Sequence, residues 1–433
     1  MDCYYYIALA VIISQPLFLL QTYNNYRYAL AKYKKKRLWH ELKAVLIVPC
    51  KGLDSDFQHN ITSFFNQDYE SYLLWFVVAD ESDLAYSELC KLKNQLSQTS
   101  KAQDVQIFVA GKGQFCSQKI HNLLYCYERV SEDIDVLAFA DSDACVRSDW
   151  LSHLVHPLRQ PKNGAATGYR WFIPKKNNLA TLALSAMNAK VAQLLGNTRF
   201  NQAWGGSMAI RVDVFRRLGL DKIWPKVLSD DLSLSKAVKK AGMKVAFVPA
   251  CLVASHESTT WPKLFEFGRR QFLITRIYAP KIWWFGLLSS LYSVLGIWGA
   301  AALAIYAAMI QHKNLDLFVA VPIVFFVNQL GGAILRQRTA EKLLQSERRA
   351  MRAACLADIL ACWLWSLLLL FFIISSAFGR TIVWRRIRYK LRGPTEIIVQ
   401  ANEKSEMRNA KHSTGHLVVG TNTNNQNTKF KTN

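Results

Sequence analysis

The chain has no Cys-x-x-Cys pair and no Cys/His spacing of the kind that closes around zinc, which excludes a metal-stapled module. Its nine cysteines, an odd number in a long chain, read as reduced thiols and place the bulk of the protein in the cytosol. No P-loop pattern is present. The first apolar run has no basic segment before it and no small-residue cleavage site after it, so it reads as an uncleaved anchor and not a signal peptide. Carboxylates are scarce: 31 Asp and Glu face 54 Lys and Arg, a net charge of +23 that asks for an anionic partner. Apolar stretches long enough to cross a bilayer make that partner the membrane surface and not nucleic acid.

A hydrophobic content of 51% is high for a soluble chain and low for an all-membrane one, which fits a soluble domain joined to a few spans. Residues 4–20 form the anchor, and the stretch RYALAKYKKKR (27–37) puts its far flank in the cytoplasm by the positive-inside rule. Between 44 and 255 short apolar runs alternate with longer mixed segments. AVLIVP (44–49), YLLWFVVA (72–79), VQIFVA (105–110), DVLAFA (135–140) and MKVAFVPA (243–250) read as strands, and 118–129 and 231–241 carry helical spacing. This alternation predicts an α/β layer with a mainly parallel sheet, whose ligands bind beyond the carboxyl ends of the strands.

From 261 to 281 aromatics mix with Arg269, Arg270, Arg276 and Lys281, the texture of an amphipathic interfacial segment. Apolar stretches follow at about 282–310, 315–335 and 354–378, with a basic loop at 336–352 and a second basic block at 380–392. Counting every stretch as a span would put the second block outside, against the charge rule, so one stretch is expected not to span. The expected division is an anchor at 1–26, a cytosolic domain at 27–260, the interfacial segment, a membrane region at 282–393 and a disordered tail at 394–433, rich in Asn, Thr and Lys.

Scarce carboxylates stand out where they pair. Asp141 and Asp143 end the apolar run DVLAFA, and a D-x-D at a strand end suits a hard cation such as Mg²⁺ or Mn²⁺ bridging to diphosphate. Asp230 and Asp231 open a helical segment behind Ser229; they serve as helix-capping acids, or one of them as a general base. Trp204-Gly205-Gly206 joins an indole face to two glycines that let a backbone approach a ligand. Lys119 follows a predicted strand, where a cation near a diphosphate is sensible.

In this order, VPCKGLDSD (48–56), VVADESD (77–83), SQKIHNL (117–123), FADSDACVRSDWL (139–151), TGYRW (167–171), WGGSMAIR (204–211) and LSDDLSLSKAVKKAG (228–242) resemble the family 2/21 glycosyltransferases, most closely the ceramide glucosyltransferase-like membrane enzymes. The resemblance implies a GT-A fold, an inverting mechanism and transfer of a hexose, expected to be glucose, from a UDP-sugar to a membrane lipid, expected to be ceramide or a ceramide-like lipid. It implies that Asp80 or Asp83 contacts uridine and that Lys119 and Asp141 meet the donor. Asp141 and Asp143 would hold the metal, Asp231 beside Asp230 would be the base, and Trp204, Gly205 and Gly206 would border sugar or acceptor. Where relatives carry an Arg-Trp pair on an interfacial helix, this chain reads Phe267-Gly268-Arg269-Arg270-Gln271-Phe272, leaving Arg269, Arg270 and Gln271 for the leaving diphosphate. The rival readings are a processive polysaccharide synthase, for which three C-terminal stretches are few, and a non-catalytic basic membrane scaffold, which leaves both acidic pairs unexplained.

Overall fold

The computed structural model describes residues 2–35, 42–54, 56–384 and 387–400. Seven strands form the central sheet: β1 (Ala44–Pro49), β2 (Tyr72–Val78), β3 (Asp104–Val109), β4 (Val136–Ala140), β5 (Asn163–Pro174), β6 (Ser207–Arg211) and β7 (Lys244–Glu257), in the order β3-β2-β1-β4-β6-β5-β7. β1 to β4 are mutually parallel, β6 runs antiparallel between β4 and β5, and β5 pairs parallel with β7. The five strands read as apolar runs are all present. β5 and β6 escape that reading because Gly, Asn, Thr and Arg interrupt them, although both are almost wholly buried.

Strand alternation builds two cores. Leu46, Val48, Leu74 and Phe76 face one side, under the helices Phe57–Phe65 and Leu84–Leu96. Val45, Ile47, Trp75 and Val77 face the other, with Ile120, Phe215, Trp224, Leu234 and Leu273. The register of β4 against β6 pairs Ala140 with Ser207, so the loop leaving β4 and the loop entering β6 meet at one sheet edge.

Helix Asp2–Tyr33 continues through much of the basic flank, beyond the expected anchor boundary at 26. Among the described residues three helices are long and apolar enough to cross a membrane: Tyr4–Tyr33, Pro280–Met309 and Leu315–Leu343. The last apolar stretch is broken into Arg352–Leu360 and Trp365–Ala377, bent by 89°. The expected interfacial segment is the helix Trp261–Tyr278, and it packs on that second arm: Phe265 meets Phe371 and Phe372 edge-on at 5.1 and 5.2 Å.

The expected division ran the membrane region to 393 and the disordered tail from 394; here the basic block instead forms a small antiparallel sheet, β8 (Thr381–Trp384), β9 (Ile387–Gly393) and β10 (Glu396–Gln400), that reaches into the expected tail. Ile382, Tyr389 and Leu391 bury themselves in the second core of the α/β domain, while Arg388 and Lys390 point outward. This is period-two patterning with charges on the open face. The tail therefore starts no earlier than 401, and its expected disorder at 401–433 lies outside the described residues.

The small sheet sits on the α/β domain, and His256 of β7 meets Glu347, after the Leu315–Leu343 helix, at 3.0 Å. Both basic segments thus pack against the α/β domain.

Candidate active site

The sheet edge where β1, β2 and β4 end gathers the acids. Lys119, in the first turn of the Gln118–Tyr127 helix, reaches Asp141 Oδ1 at 2.8 Å and Asp230 Oδ2 at 3.1 Å. Ser117 caps that helix by accepting from the Ile120 N–H and so aims the lysine. Burial alone would lower the Lys119 ammonium, but Asp141 and Asp230 outweigh it and hold the group above its ordinary value. Burial pushes the Asp230 carboxyl up to about 6, against the pull of Lys119 and with Asp231 and Asp141 adding repulsion. The site holds a buried cation among carboxylates, at a strand edge where ligands bind.

Two glycines make the cluster possible. A Cβ on Gly205 would lie 2.6 Å from both Lys119 Nζ and Asp230 Oδ2. On Gly206 it would lie 2.2 Å from the Trp204 ring and 2.7 Å from Asp141 Oδ2. The Gly205 N–H donates to Asp231 Oδ2 at 3.2 Å. Asp231 Oδ1 accepts from the Ser229 hydroxyl at 2.5 Å and the Leu232 N–H at 2.7 Å, which fixes its rotamer at the start of the Asp230–Lys240 helix. Asp230 is buried, whereas Asp231 is only half-buried and the more accessible acid.

Arg170, on β5 inside TGYRW, received no role from sequence and is central here. Its guanidinium lies 3.5 Å from both Asp141 and Asp143 and packs over the Trp204 and Phe172 rings at 4.8 and 5.3 Å. Glu257, at the end of β7, was also missed. Burial raises its carboxyl, Arg170 opposes that, and Asp143 adds to it. A basic residue within a strand that pairs with D-x-D is the signal that could have singled out Arg170, but its partner stands some thirty positions earlier in the chain.

The remaining expected residues divide. Asp80 is exposed just past β2, held below the usual carboxylate range by the Ser82 N–H, with Lys112 contributing. Asp83 caps the Leu84–Leu96 helix and also accepts from the Gly52 N–H at 2.7 Å, tying the loops after β1 and β2 together. Arg269 donates to the carbonyls of Ser375, Phe378 and Thr381, and Arg270 to that of Val383, so both bind the C-terminal chain. Gln271 is exposed on the same helix.

Asp141 and Asp143 suit a divalent ion by donor type: hard oxygens, with Asp143 Oδ1 buried and lacking a hydrogen-bond partner among the described residues. No three His, Cys, Asp or Glu side chains converge as a metal site among the described residues, so the other ligands would be substrate phosphates and water.

The family model described as glycosyl transferase family 21 matches residues 9–397. Solved structures similar to the chain include the mannosyltransferase PcManGT from Pyrobaculum calidifontis in complex with GDP-Man and Mn²⁺, at 16% identity and TM-score 0.41, covering 86% of this chain and 97% of that one. Another is GalNAc-T7 with UDP, GalNAc and Mn²⁺, at 13% identity and TM-score 0.35, covering 57% of this chain and 51% of that one.

Proposed function

Because the chain belongs to glycosyl transferase family 21, with a GT-A α/β domain carried on membrane-type helices, we propose that it is an inverting transferase moving a hexose, expected to be glucose, from a UDP-sugar to ceramide or a ceramide-like lipid. The observation that carries the reading is the buried Lys119–Asp141–Asp230 cluster, closed by Gly205 and opened to solvent beside Asp231.

In this reading uridine lies over the ends of β1 and β2. Asp80 is the better placed carboxylate for it, since Asp83 is committed to capping and to Gly52. Asp141 and Asp143 would hold Mg²⁺ or Mn²⁺, which when bound supplies charge to neutralise the departing diphosphate. Lys119 and Arg170 hold those carboxylates in place and keep the pocket's charge close to balance. The acceptor hydroxyl oxygen attacks the anomeric carbon, the bond from that carbon to the diphosphate breaks, and UDP leaves. Asp231 takes the hydroxyl proton; the hydrogen bonds from Ser229, Leu232 and Gly205 hold its carboxylate in one orientation. Trp204, steadied by Arg170 and edge-on to Tyr169 at 6.3 Å, offers an aromatic face to the sugar. The adjoining membrane helices supply the acceptor from the bilayer, and the positive-inside rule puts the domain on the cytosolic face.

The test uses detergent-solubilised protein with Mn²⁺ or Mg²⁺, a panel of radiolabelled UDP-sugars and a total lipid extract. The expected result is one metal-dependent glycolipid, with Asp231→Asn lowering turnover by about 10²–10⁴-fold while UDP binding persists. No glycolipid and no UDP binding from folded protein would overturn the reading.

A further inference from the structure

A basic cavity lies away from the acidic cluster, where the anchor helix meets the α/β domain. It measures about 480 Å³ and is lined by Lys32, Lys35, Lys162, Lys244, His153 and His156, with no carboxylate in its wall among the described residues. Asp149 lies behind His153 at 3.4 Å, outside the lining. Such a volume suits a small ligand, and the wall chemistry selects an anion with several acceptor oxygens.

The cavity is built and not a chance gap between mobile surfaces. Tyr28, in the last turns of the anchor helix, donates its hydroxyl to the Phe247 carbonyl at 2.9 Å, and Asn25 donates to the Gln193 carbonyl at 3.0 Å. Asn201, buried, clamps the far rim by donating to the Gly196 and Val245 carbonyls at 2.8 and 3.1 Å. These bonds hold the anchor helix, the loop after Leu179–Ala192 and the start of β7 in one geometry. Lys32 and Lys35 stand at and just past the C-terminal end of the Tyr4–Tyr33 candidate span, the end that would face lipid headgroups if that helix crosses the bilayer.

We propose that this cavity binds the phosphate headgroup of an anionic phospholipid from the surrounding leaflet, at a site separate from sugar transfer. Location favours lipid over dissolved phosphate: one wall of the cavity is the direct continuation of the anchor helix. The lysines donate to the phosphate oxygens, and the acyl chains remain in the bilayer beside the span. This would orient the domain on the membrane through one seated lipid in addition to diffuse attraction by the chain's excess positive charge.

The experiment is native mass spectrometry of the full-length, detergent-solubilised protein titrated with dioctanoyl phosphatidic acid, dioctanoyl phosphatidylcholine or inorganic phosphate. Wild type should bind phosphatidic acid at least about tenfold more tightly than phosphatidylcholine, as expected for charge-assisted hydrogen bonds. Lys162→Gln with Lys244→Gln should abolish that preference, as should Lys32→Gln with Lys35→Gln on the opposite wall. Arg388→Gln with Lys390→Gln, which removes the same charge from the open face of the small sheet, should leave it intact. An equal loss in that control would mean diffuse attraction and overturn the site. So would phosphatidylcholine binding as tightly as phosphatidic acid, or inorganic phosphate matching phosphatidic acid, which would mark a free-anion pocket. None of these readouts depends on transferase turnover.

Discussion

Asp230 and Asp231 are neighbours in sequence with different surroundings. Asp230 is buried against Lys119, whereas Asp231 is half-exposed and held by Ser229, Leu232 and Gly205. With its folded-state value raised from 3.8 to about 6, Asp230 takes up a proton more readily in the native than in the unfolded chain. Its contribution to stability is therefore greatest at low pH and declines as pH rises through that window. Activity should run the opposite way, because the Lys119 pair needs the ionised acid. A profile of kcat/KM against pH is expected to fall about tenfold per unit below about pH 6, and Asp230→Asn should flatten that limb. A profile level down to pH 5 would count against the pair's role. Gly205→Ala should separate Lys119 from Asp230, since the new methyl has nowhere else to go. A loss of about 100-fold in kcat/KM is the expected outcome, together with a lower melting temperature because the buried pair is parted.

Among elements, the bent pair is held by a buried ion pair rather than by apolar contact alone. Arg336, near the end of Leu315–Leu343, donates to Asp358 from Nε at 2.6 Å and Nη2 at 2.5 Å, and Gln337 adds a bond at 2.7 Å. Both charged residues are almost wholly buried. Removing one partner leaves the other uncompensated, so Asp358→Ala should cost about 3–5 kcal/mol and lower the melting temperature in detergent. Arg336→Met with Asp358→Leu should recover most of it, and a single substitution without effect would show that the pair does not hold the bend. The expected donor role of Arg269 and Arg270 meets a competing use at this scale: their guanidiniums tie the Trp261–Tyr278 helix to the chain leaving the bent pair. Sequence could place those arginines on a helix but could not say which carbonyls would come within reach.

For the whole molecule, the small sheet against the second core predicts that 344–351, 380–384 and 387–400 share the domain's side of the membrane. Arg349→Cys and Arg388→Cys, in sealed vesicles of a chain whose other cysteines are replaced, should react with an impermeant maleimide from the same face as Lys91→Cys. Labelling of Arg388→Cys from the opposite face would make the bent pair a true span.

By itself the sequence determined what local pattern can encode. Apolar runs marked five strands and the membrane helices, and the acids ending those runs marked the sheet edge, because side-chain periodicity and strand ends are local properties. The ordered motifs carry the family resemblance in the sequence alone. Only the tertiary structure decided which charges share a space. Lys119 meets Asp141 and Asp230 from three separate elements, Arg170 closes on a D-x-D from another strand, and β5 and β6 are buried despite their polar residues. The fate of the last basic block was likewise settled by contact, as Ile382, Tyr389 and Leu391 joined a core built from residues 45 to 278. Each of these depends on pairing across long loops, and such pairing is set by the packed chain as a whole.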